Sequence, residues 1–409
     1  MRICYVGNVD SVHTQRWAIH FAREGHRVHL VSAISDSSPI DVLEEANVAV
    51  HALNRWPWTS IQAADRNVTS QRLRYVFKNV WSGLYRFLPP KFGVFFTFYV
   101  LHAIRLRRLL RELKPDIVHG WYLVDYAYLA ALSGYRPLVI SSWGTDVIGD
   151  IPSPWPSRFL NHARWFSLRR ADCITATTKF LAQMTMAYTP KGTAIEVVPF
   201  GVDCETFTPF KEKSSKSLLT IGFIKQLEPA YGPDFLIRAM ARVVTIYPNV
   251  RLLIVGTGSL NLALQKMVND LGLKKQVQFL GAVPHSQVPK ILAEIDIFVM
   301  PSVCREAFGV SAIEASAMEV PVVATRVGGV PEAVSDGVTG ILVEPHDEKA
   351  LVAAIVRMIE DPTGRAEMGR KGREYVLSKY RWQDCTSKME ALYHRLMRQK
   401  VSTQLGETC

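Results

Sequence analysis

Residues 298–318 read FVMPSVCREAFGVSAIEASAM. The run opens as an apolar strand, Phe298-Val299-Met300, and breaks at Pro301-Ser302. A loop carrying Glu306 follows. Gly309 then opens a helix whose Ala312, Ile313, Ala315 and Ala317 suit close packing, and Glu314 stands eight residues after Glu306. A strand, a loop and a helix N-terminus in this order make an anion site. The first amides of a helix lack intrahelical partners and carry about half a positive charge, which suits a diphosphate. Gly309 lets the backbone come close to a ligand. Glu306 is placed to accept hydrogen bonds from sugar hydroxyls and Glu314 from ribose hydroxyls, since an ionised carboxylate only accepts. A glycosidase pair is the rival chemistry, with carboxylates about 5–9.5 Å apart. Eight residues of continuous helix rise about 12 Å, although the loop blurs that measure. Two glutamates alone also suit a helix dipole and a solvated face.

Working outward, short β-branched runs alternate with helical patterns along the whole chain. Ile3–Val6, Val28–Val31, Ile117–Val118 and Leu138–Ser141 read as strands, with helices over Thr14–Glu24 and Val94–Leu113. After residue 215 the alternation restarts. Strands are expected over Leu218–Ile224, Arg251–Val255, Val277–Leu280, Ile297–Met300, Val322–Ala324 and Gly340–Val343. Helices are expected over Phe235–Thr245, Leu260–Leu271, Ser286–Ala293, Gly309–Met318 and Glu348–Glu360. Such alternation means parallel sheets with right-handed crossovers. The chain has 409 residues, more than the roughly 250–300 that one core serves. The expected architecture is α/β, two doubly wound Rossmann-like domains facing across a cleft. Their bounds are 1–205 and 217–381, with a linker over 206–216 inside the polar stretch Pro199–Ser217, which ends in KEKSSKS. Ligands of such sheets bind beyond the carboxyl ends of the strands.

Composition narrows the class. Hydrophobic residues make 48% of the chain and charged residues 21%, a globular mix that excludes disorder as the main state. The net charge is +11, which suits an anionic partner. Between residues 54 and 114 stand twelve Lys and Arg against only Asp65 and Glu112. Trp56, Trp58, Trp81, Phe95 and Tyr99 are among the aromatics there. Cations mixed with large rings suit an anionic membrane surface; a solvated basic face over core aromatics is the plainer alternative. No nucleic-acid motif accompanies the charge, and no nucleic-acid partner is expected. The longest near-apolar run, Phe92–Leu101, has ten residues, half the roughly 20 that span a bilayer. The first residues, MRICYV, read as a strand and not as a secretory leader. Six scattered cysteines show no paired spacing, which fits a reducing compartment and neither a disulfide framework nor a zinc site. The expected location is cytoplasmic, peripheral on the inner face of the membrane.

The 298–318 segment resembles the donor site of family 4 glycosyltransferases of the GT-B fold. The resemblance rests on Glu306, Phe308-Gly309, Glu314 and Ala315, and on the elements that follow: Pro321-Val-Val-Ala-Thr325, Gly328-Gly329-Val-Pro-Glu332 and Asp336-Gly-Val-Thr-Gly-Ile-Leu-Val343. Upstream, Val255-Gly-Thr-Gly258 and Phe279-Leu-Gly281 also match. The resemblance implies retaining transfer from a nucleotide-sugar donor, with no cofactor and no metal. It places Glu306 on the donor sugar, Glu314 on the ribose, and the amides of Phe308, Gly309 and Val310 on sugar and phosphate. Gly256 and Gly258 read as donor-side turn glycines, a weak signal by themselves. Lys225-Gln-Leu-Glu-Pro-Ala-Tyr231 matches the clamp for the departing diphosphate, where relatives carry cations at the first and seventh positions. Here Lys225 keeps the first, but Tyr231 brings no charge to the second. Arg305 and Arg326 are the basic residues at hand to compensate.

The first half carries the acceptor-side resemblance. Gly7-Asn8 leads into a helix bearing His13 and Arg16, in a loop expected to face the crevice. His119-Gly-Trp121 stands where relatives often read His-Ala-His, so Trp121 replaces the second histidine. Successive strand residues face opposite ways, so His119 cannot simply take over from Trp121. Trp143-Gly-Thr-Asp146 matches a further acceptor-side motif. His119, Asp146, Lys225 and Glu306 are thus the catalytic candidates; Gly7, Asn8, His13, Arg16, Trp121 and Trp143 are the acceptor-side ones. A last helix over about 382–399 is expected to pack back on the first domain. The acceptor implied is a glycan or a lipid-linked molecule, as in surface polysaccharide or glycolipid assembly. Two other readings remain open on the sequence: another GT-B enzyme such as a nucleotide-sugar epimerase, and a non-catalytic scaffold binding a nucleotide or glycan.

Overall fold

The computed structural model describes residues 1–33, 40–53, 90–148, 157–209 and 218–406, with side chains omitted for 90–98 and 401–406. Two parallel sheets organise them. The first has the order β3-β2-β1-β4-β5-β6-β7. Its strands are β1 (Arg2–Val6), β2 (Arg27–Ser32), β3 (Val48–Ala52), β4 (Ile117–Trp121), β5 (Leu138–Ser142), β6 (Cys173–Ala176) and β7 (Ile195–Val197). The second has the order β10-β9-β8-β11-β12-β13. Its strands are β8 (Leu219–Ile224), β9 (Val250–Val255), β10 (Val277–Gly281), β11 (Ile297–Met300), β12 (Val322–Thr325) and β13 (Gly340–Val343). Every described strand pair is parallel; Ile3 lies opposite both Val28 and Ile117, and Val322 opposite both Phe298 and Gly340.

The central strands read as apolar because helices cover both faces. All four residues of β11 and of β12 are buried. In each sheet the chain reverses direction across the fold beside its first strand, between β1 and β4 and between β8 and β11. Those are the switch points where such sheets open a crevice at the strand carboxyl ends.

Three strands had no clear signal. β3 is an edge of which only Val48 is buried, and β6 and β7 hold four and three residues, with Thr175 and Glu196 among them. Their β-branched residues, Val48 and Val50, Ile174 and Thr175, Ile195 and Val197, suit strands, and neighbouring strands complete the ladder of runs too short to stand out alone. The final helix, Trp382–Gly406, runs back to the first sheet. Trp382 packs on Trp17, Tyr393 reaches Tyr5 and His119, and Glu390 pairs with His26 at 3.0 Å. Residues 54–89, which carry much of the basic aromatic stretch, and 210–216 of the expected linker lie outside the described residues.

Candidate active site

Both crevices open into one cleft of about 540 Å³. The wall from the first sheet presents Asn8, Ser11, His13, Thr14, Trp121, Tyr122, Asp125, Tyr126, Trp143 and Thr145. The opposite wall presents Tyr231, Cys304, Arg305, Glu306, Phe308, Gly309 and Val310.

The second wall is set by how the β11 loop is held. Gly309 sits at φ +93°, a left-handed backbone that favours glycine, and ends the loop as the N-cap of the Val310–Ala317 helix. Glu306 is anchored through its carbonyl, which accepts from Gly329 N at 2.8 Å. A side chain on Gly328 would strike that carbonyl at 2.0 Å, so the paired glycines exist to let the loop approach. With the backbone held, Glu306 Oε2 meets Lys225 Nζ at 2.5 Å, the two side chains 15% and 16% exposed. Lys225 also lies over the Tyr231 ring, 4.4 Å from its centroid. The Tyr231 phenol is pushed up to about 12, first by burial and then by the Glu306 charge, so it stays a neutral donor. Of the two candidate compensating cations, Arg326 is engaged with Asp336 at 2.5 Å and Glu344 at 3.3 Å. Arg305 is on the cleft wall.

Gly256 and Gly258 are turn glycines at the ends of strands in the second half. A side chain on Gly256 would stand 1.9 Å from the Lys225 carbonyl, and one on Gly258 2.4 Å from that of Leu227. They let two strand-end turns cross and are not on the cleft wall. Glu314 is 5% exposed and faces inward, where His285 Nε2 donates to its Oε1 at 2.8 Å. Sequence reasoning passed over His285, a lone histidine in a strand-to-helix turn without periodic context.

On the first wall, His13 stacks on Phe200 at 4.1 Å. Burial, then the charges of Arg16 and His285, bring its pKa down to about 4, so the ring is neutral. Arg16 lies 4.4 Å over the Trp382 ring and feels the opposing charges of Glu314 and Asp203. Trp121 stacks between Tyr5 at 4.4 Å and Trp143 at 4.9 Å, which carries an aromatic column from the core to the cleft. Gly7 makes room for it, since a Cβ there would stand 2.5 Å from the Trp121 ring. Asn8 Oδ1 accepts from Asp10 N at 3.1 Å at the cleft mouth.

Two catalytic expectations are corrected by position. His119 is buried, with Nδ1 and Nε2 both 2.6 Å from hydroxyls, those of Tyr393 and Ser141. Burial brings its pKa down to about 3. It ties the last helix to the sheet and is not on the cleft wall. Asp146 is fully buried, and its carboxylate accepts from the amides of Leu123 at 3.0 Å, Trp143 at 3.2 Å and Gly144 at 2.7 Å. It clamps the two loops that make the wall and offers a substrate no face.

The chain matches known proteins along nearly its whole length. Residues 11–206 match the model described as "Glycosyltransferase Family 4", and residues 205–375 the one described as "Glycosyl transferases group 1". It is 34% identical over 304 residues to a GDP-mannose-dependent α-(1-6)-phosphatidylinositol monomannoside mannosyltransferase of Mycolicibacterium smegmatis, covering 68% of this chain and 76% of that protein. A D-inositol 3-phosphate glycosyltransferase of Segniliparus rotundus is 30% identical over 291 residues, 68% of this chain and 64% of the relative. A GDP-mannose-dependent monoacylated α-(1-6)-phosphatidylinositol monomannoside mannosyltransferase of Corynebacterium glutamicum is 35% identical over 204 residues, 46% and 53% of the two. The chain thus spans slightly under two thirds of the second relative and about half of the third. Among solved structures, a sucrose-phosphate synthase from Thermosynechococcus elongatus superposes with a TM-score of 0.76 at 19% identity, covering 97% of this chain and 99% of that one. Anabaena HepE in complex with UDP gives 0.74 at 19% identity, covering 97% and 100%. These likenesses establish the two-domain GT-B fold.

Proposed function

The chain belongs to the family 4 glycosyltransferases, and on that premise we propose that it moves a sugar from a nucleotide-sugar donor to a lipid-linked or glycan acceptor with retention at the anomeric carbon. The observation that carries this reading is Glu306, on the cleft wall before the amino end of the Val310–Ala317 helix and paired behind that wall with Lys225, in a cleft whose other wall belongs to the first sheet. In the proposed reaction Glu306 accepts hydrogen bonds from the donor sugar. Lys225, Arg305 and the amides of Phe308, Gly309 and Val310 take up charge as the diphosphate leaves. Glu314 binds the ribose, with His285 turned aside. The 217–381 half is then the donor side, and 1–205 the acceptor side, closed by the returning helix over 382–399.

A membrane-borne acceptor suits the surface. On the Pro90–Leu113 helix, Leu101, Ile104, Arg105, Arg107, Arg108 and Arg111 are exposed together. Apolar tips among cations match the inner, anionic face of a bilayer, where the cytoplasmic enzyme would sit peripherally. No helix among the described residues is long and apolar enough to cross a membrane. The relatives quoted above act, by their names, on inositol-containing molecules, which makes phosphatidylinositol the first acceptor to try.

Calorimetric titration with UDP, GDP, ADP and CMP tests the donor site. One nucleotide is expected to bind, with affinity reduced at least about tenfold in Glu314→Ala, the loss of a charge-assisted hydrogen-bond acceptor. A folded protein that binds none of the four would contradict the reading and favour a scaffold.

A further inference from the structure

Two carboxylates are on the wall of the cleft, Glu306 from the second half and Asp125 from the first. Asp125 holds the N-cap position of the Tyr126–Ser133 helix. An aspartate there ordinarily turns its carboxylate onto the first free amides of its helix. This one makes no such bond. Its Oδ1 instead receives Tyr99 Oη at 3.3 Å from the neighbouring helix, which steadies the side chain and leaves Oδ2 with no donor among the described residues. The contrast with Asp146 is direct, since that carboxylate already accepts from three amides. Trp121, where relatives often carry a histidine, offers no acceptor atom toward the cleft, because an indole only donates. The first wall therefore has one carboxylate with capacity to spare.

We propose that Asp125 binds the acceptor, its Oδ2 accepting a hydrogen bond from the attacking acceptor hydroxyl and fixing it across the cleft from Glu306; as that oxygen bonds to the anomeric carbon the bond to the diphosphate breaks, and the hydroxyl proton leaves with the diphosphate. The acceptor class is a molecule with vicinal hydroxyls, a sugar or cyclic polyol, since neutral Tyr122 and Thr145 hydroxyls, 2.6 Å from each other, share the wall and can take a neighbouring hydroxyl. The inference rests on the glycosyl-transfer reading.

Only the ionised carboxylate accepts with both oxygens. Burial raises the Asp125 pKa to about 6, Asp146 pushes the same way, and the Tyr99 hydrogen bond opposes both. Tyr122, Tyr126 and Tyr99 also face this charge, and all three phenols are themselves raised and stay neutral.

The test compares the full-length protein with Asp125→Asn and Asp125→Glu. Nucleotide affinity is measured by calorimetry. Transfer is measured from the matching nucleotide-sugar to phosphatidylcholine vesicles containing phosphatidylinositol, and to water as donor hydrolysis. The Asn variant is expected to bind nucleotide as the parent does and to transfer at least tenfold more slowly. It is also expected to lose the fall in rate that the parent shows as pH drops through about 6; the Glu variant recovers part of the rate and that limb. Equal rates in parent and Asn variant, on vesicles or on water, would overturn the proposal, as would an unchanged acidic limb. A parent that binds nucleotide but transfers to neither vesicles nor water would overturn it too. A parent that binds no nucleotide would instead sink the donor reading.

Discussion

Lys225 and Glu306 stand 2.5 Å apart with both side chains largely buried, and each is the other's counter-charge. Removing one leaves the other uncompensated, which costs more than an exposed pair would. Lys225→Ala is expected to weaken nucleotide binding by about tenfold or more, a loss of at least about 1.4 kcal/mol. Titration calorimetry checks it, and unchanged affinity would place the diphosphate elsewhere. His119 makes its prediction through stability. Its pKa is depressed from the ordinary 6.5 to about 3, while the unfolded chain takes a proton near 6.5. The unfolded state therefore binds more protons between those values, so its contribution to stability is present above about 6.5 and is lost as pH falls toward about 3. His13, at about 4, adds the same sign. Urea unfolding at pH 7, 5.5 and 4.5 should show midpoints falling with pH, less steeply in His119→Gln. Tyr393→Phe should cost about 1–3 kcal/mol, because Nδ1 of His119 loses its buried partner.

At the scale of elements, the two halves meet through a helix end. The amides of Lys179 and Phe180 donate to Glu332 at 2.9 and 2.8 Å, so a carboxylate of the second half caps a helix of the first. Thr178 adds Oγ1 to the Ala307 carbonyl at 2.9 Å, one residue past Glu306. A capping carboxylate at a helix amino end contributes about 0.5–2 kcal/mol. Glu332→Ala is expected to lower the thermal midpoint and to loosen the cleft, read as faster amide exchange over 178–182 without loss at the sheet centres. Unchanged exchange there would mean the contact holds nothing. The glycines belong to this scale as well. Gly328→Ala would press a methyl against the Glu306 carbonyl at 2.0 Å. The loop must then move, and nucleotide binding should fall at least as far as in the Lys225 variant.

For the whole molecule, the charge is unevenly placed. Ten of the eleven net positive charges arise between residues 54 and 114, and the described part of that stretch shows its arginines on the outer face of one helix. Each cation near an anionic surface contributes about 1 kcal/mol. Arg105→Glu with Arg108→Glu should therefore abolish co-sedimentation with phosphatidylserine-containing vesicles while nucleotide affinity stays. Raising salt should weaken the parent's binding in the same way. Binding by the double variant equal to the parent's would remove the membrane from the reading.

Periodicity made the two-sheet fold legible, because a strand buried on both faces must be apolar and the helix beside it must pack small residues. That reasoning reached β11 and the helix after it, and missed β3, β6 and β7, whose pairing comes from neighbours. The loop at 301–309 could be read as a site because its function is written into consecutive residues: a strand end, a carboxylate, a glycine, a helix. Which residues of the first half face it could not be read that way. His119 and Asp146 stood in matching motifs, yet the fold spends one on Tyr393 and Ser141 and the other on three backbone amides. Asp125 drew no reading from the sequence, and only the packing of Tyr99 against it shows one oxygen engaged and the other without a donor among the described residues. The sequence by itself determined the alternation, the donor loop and the uneven charge, since each is a local pattern. Only the tertiary structure decided which polar groups were already satisfied, because a bond such as that of His119 to Tyr393, 274 positions on, leaves no trace in either neighbourhood.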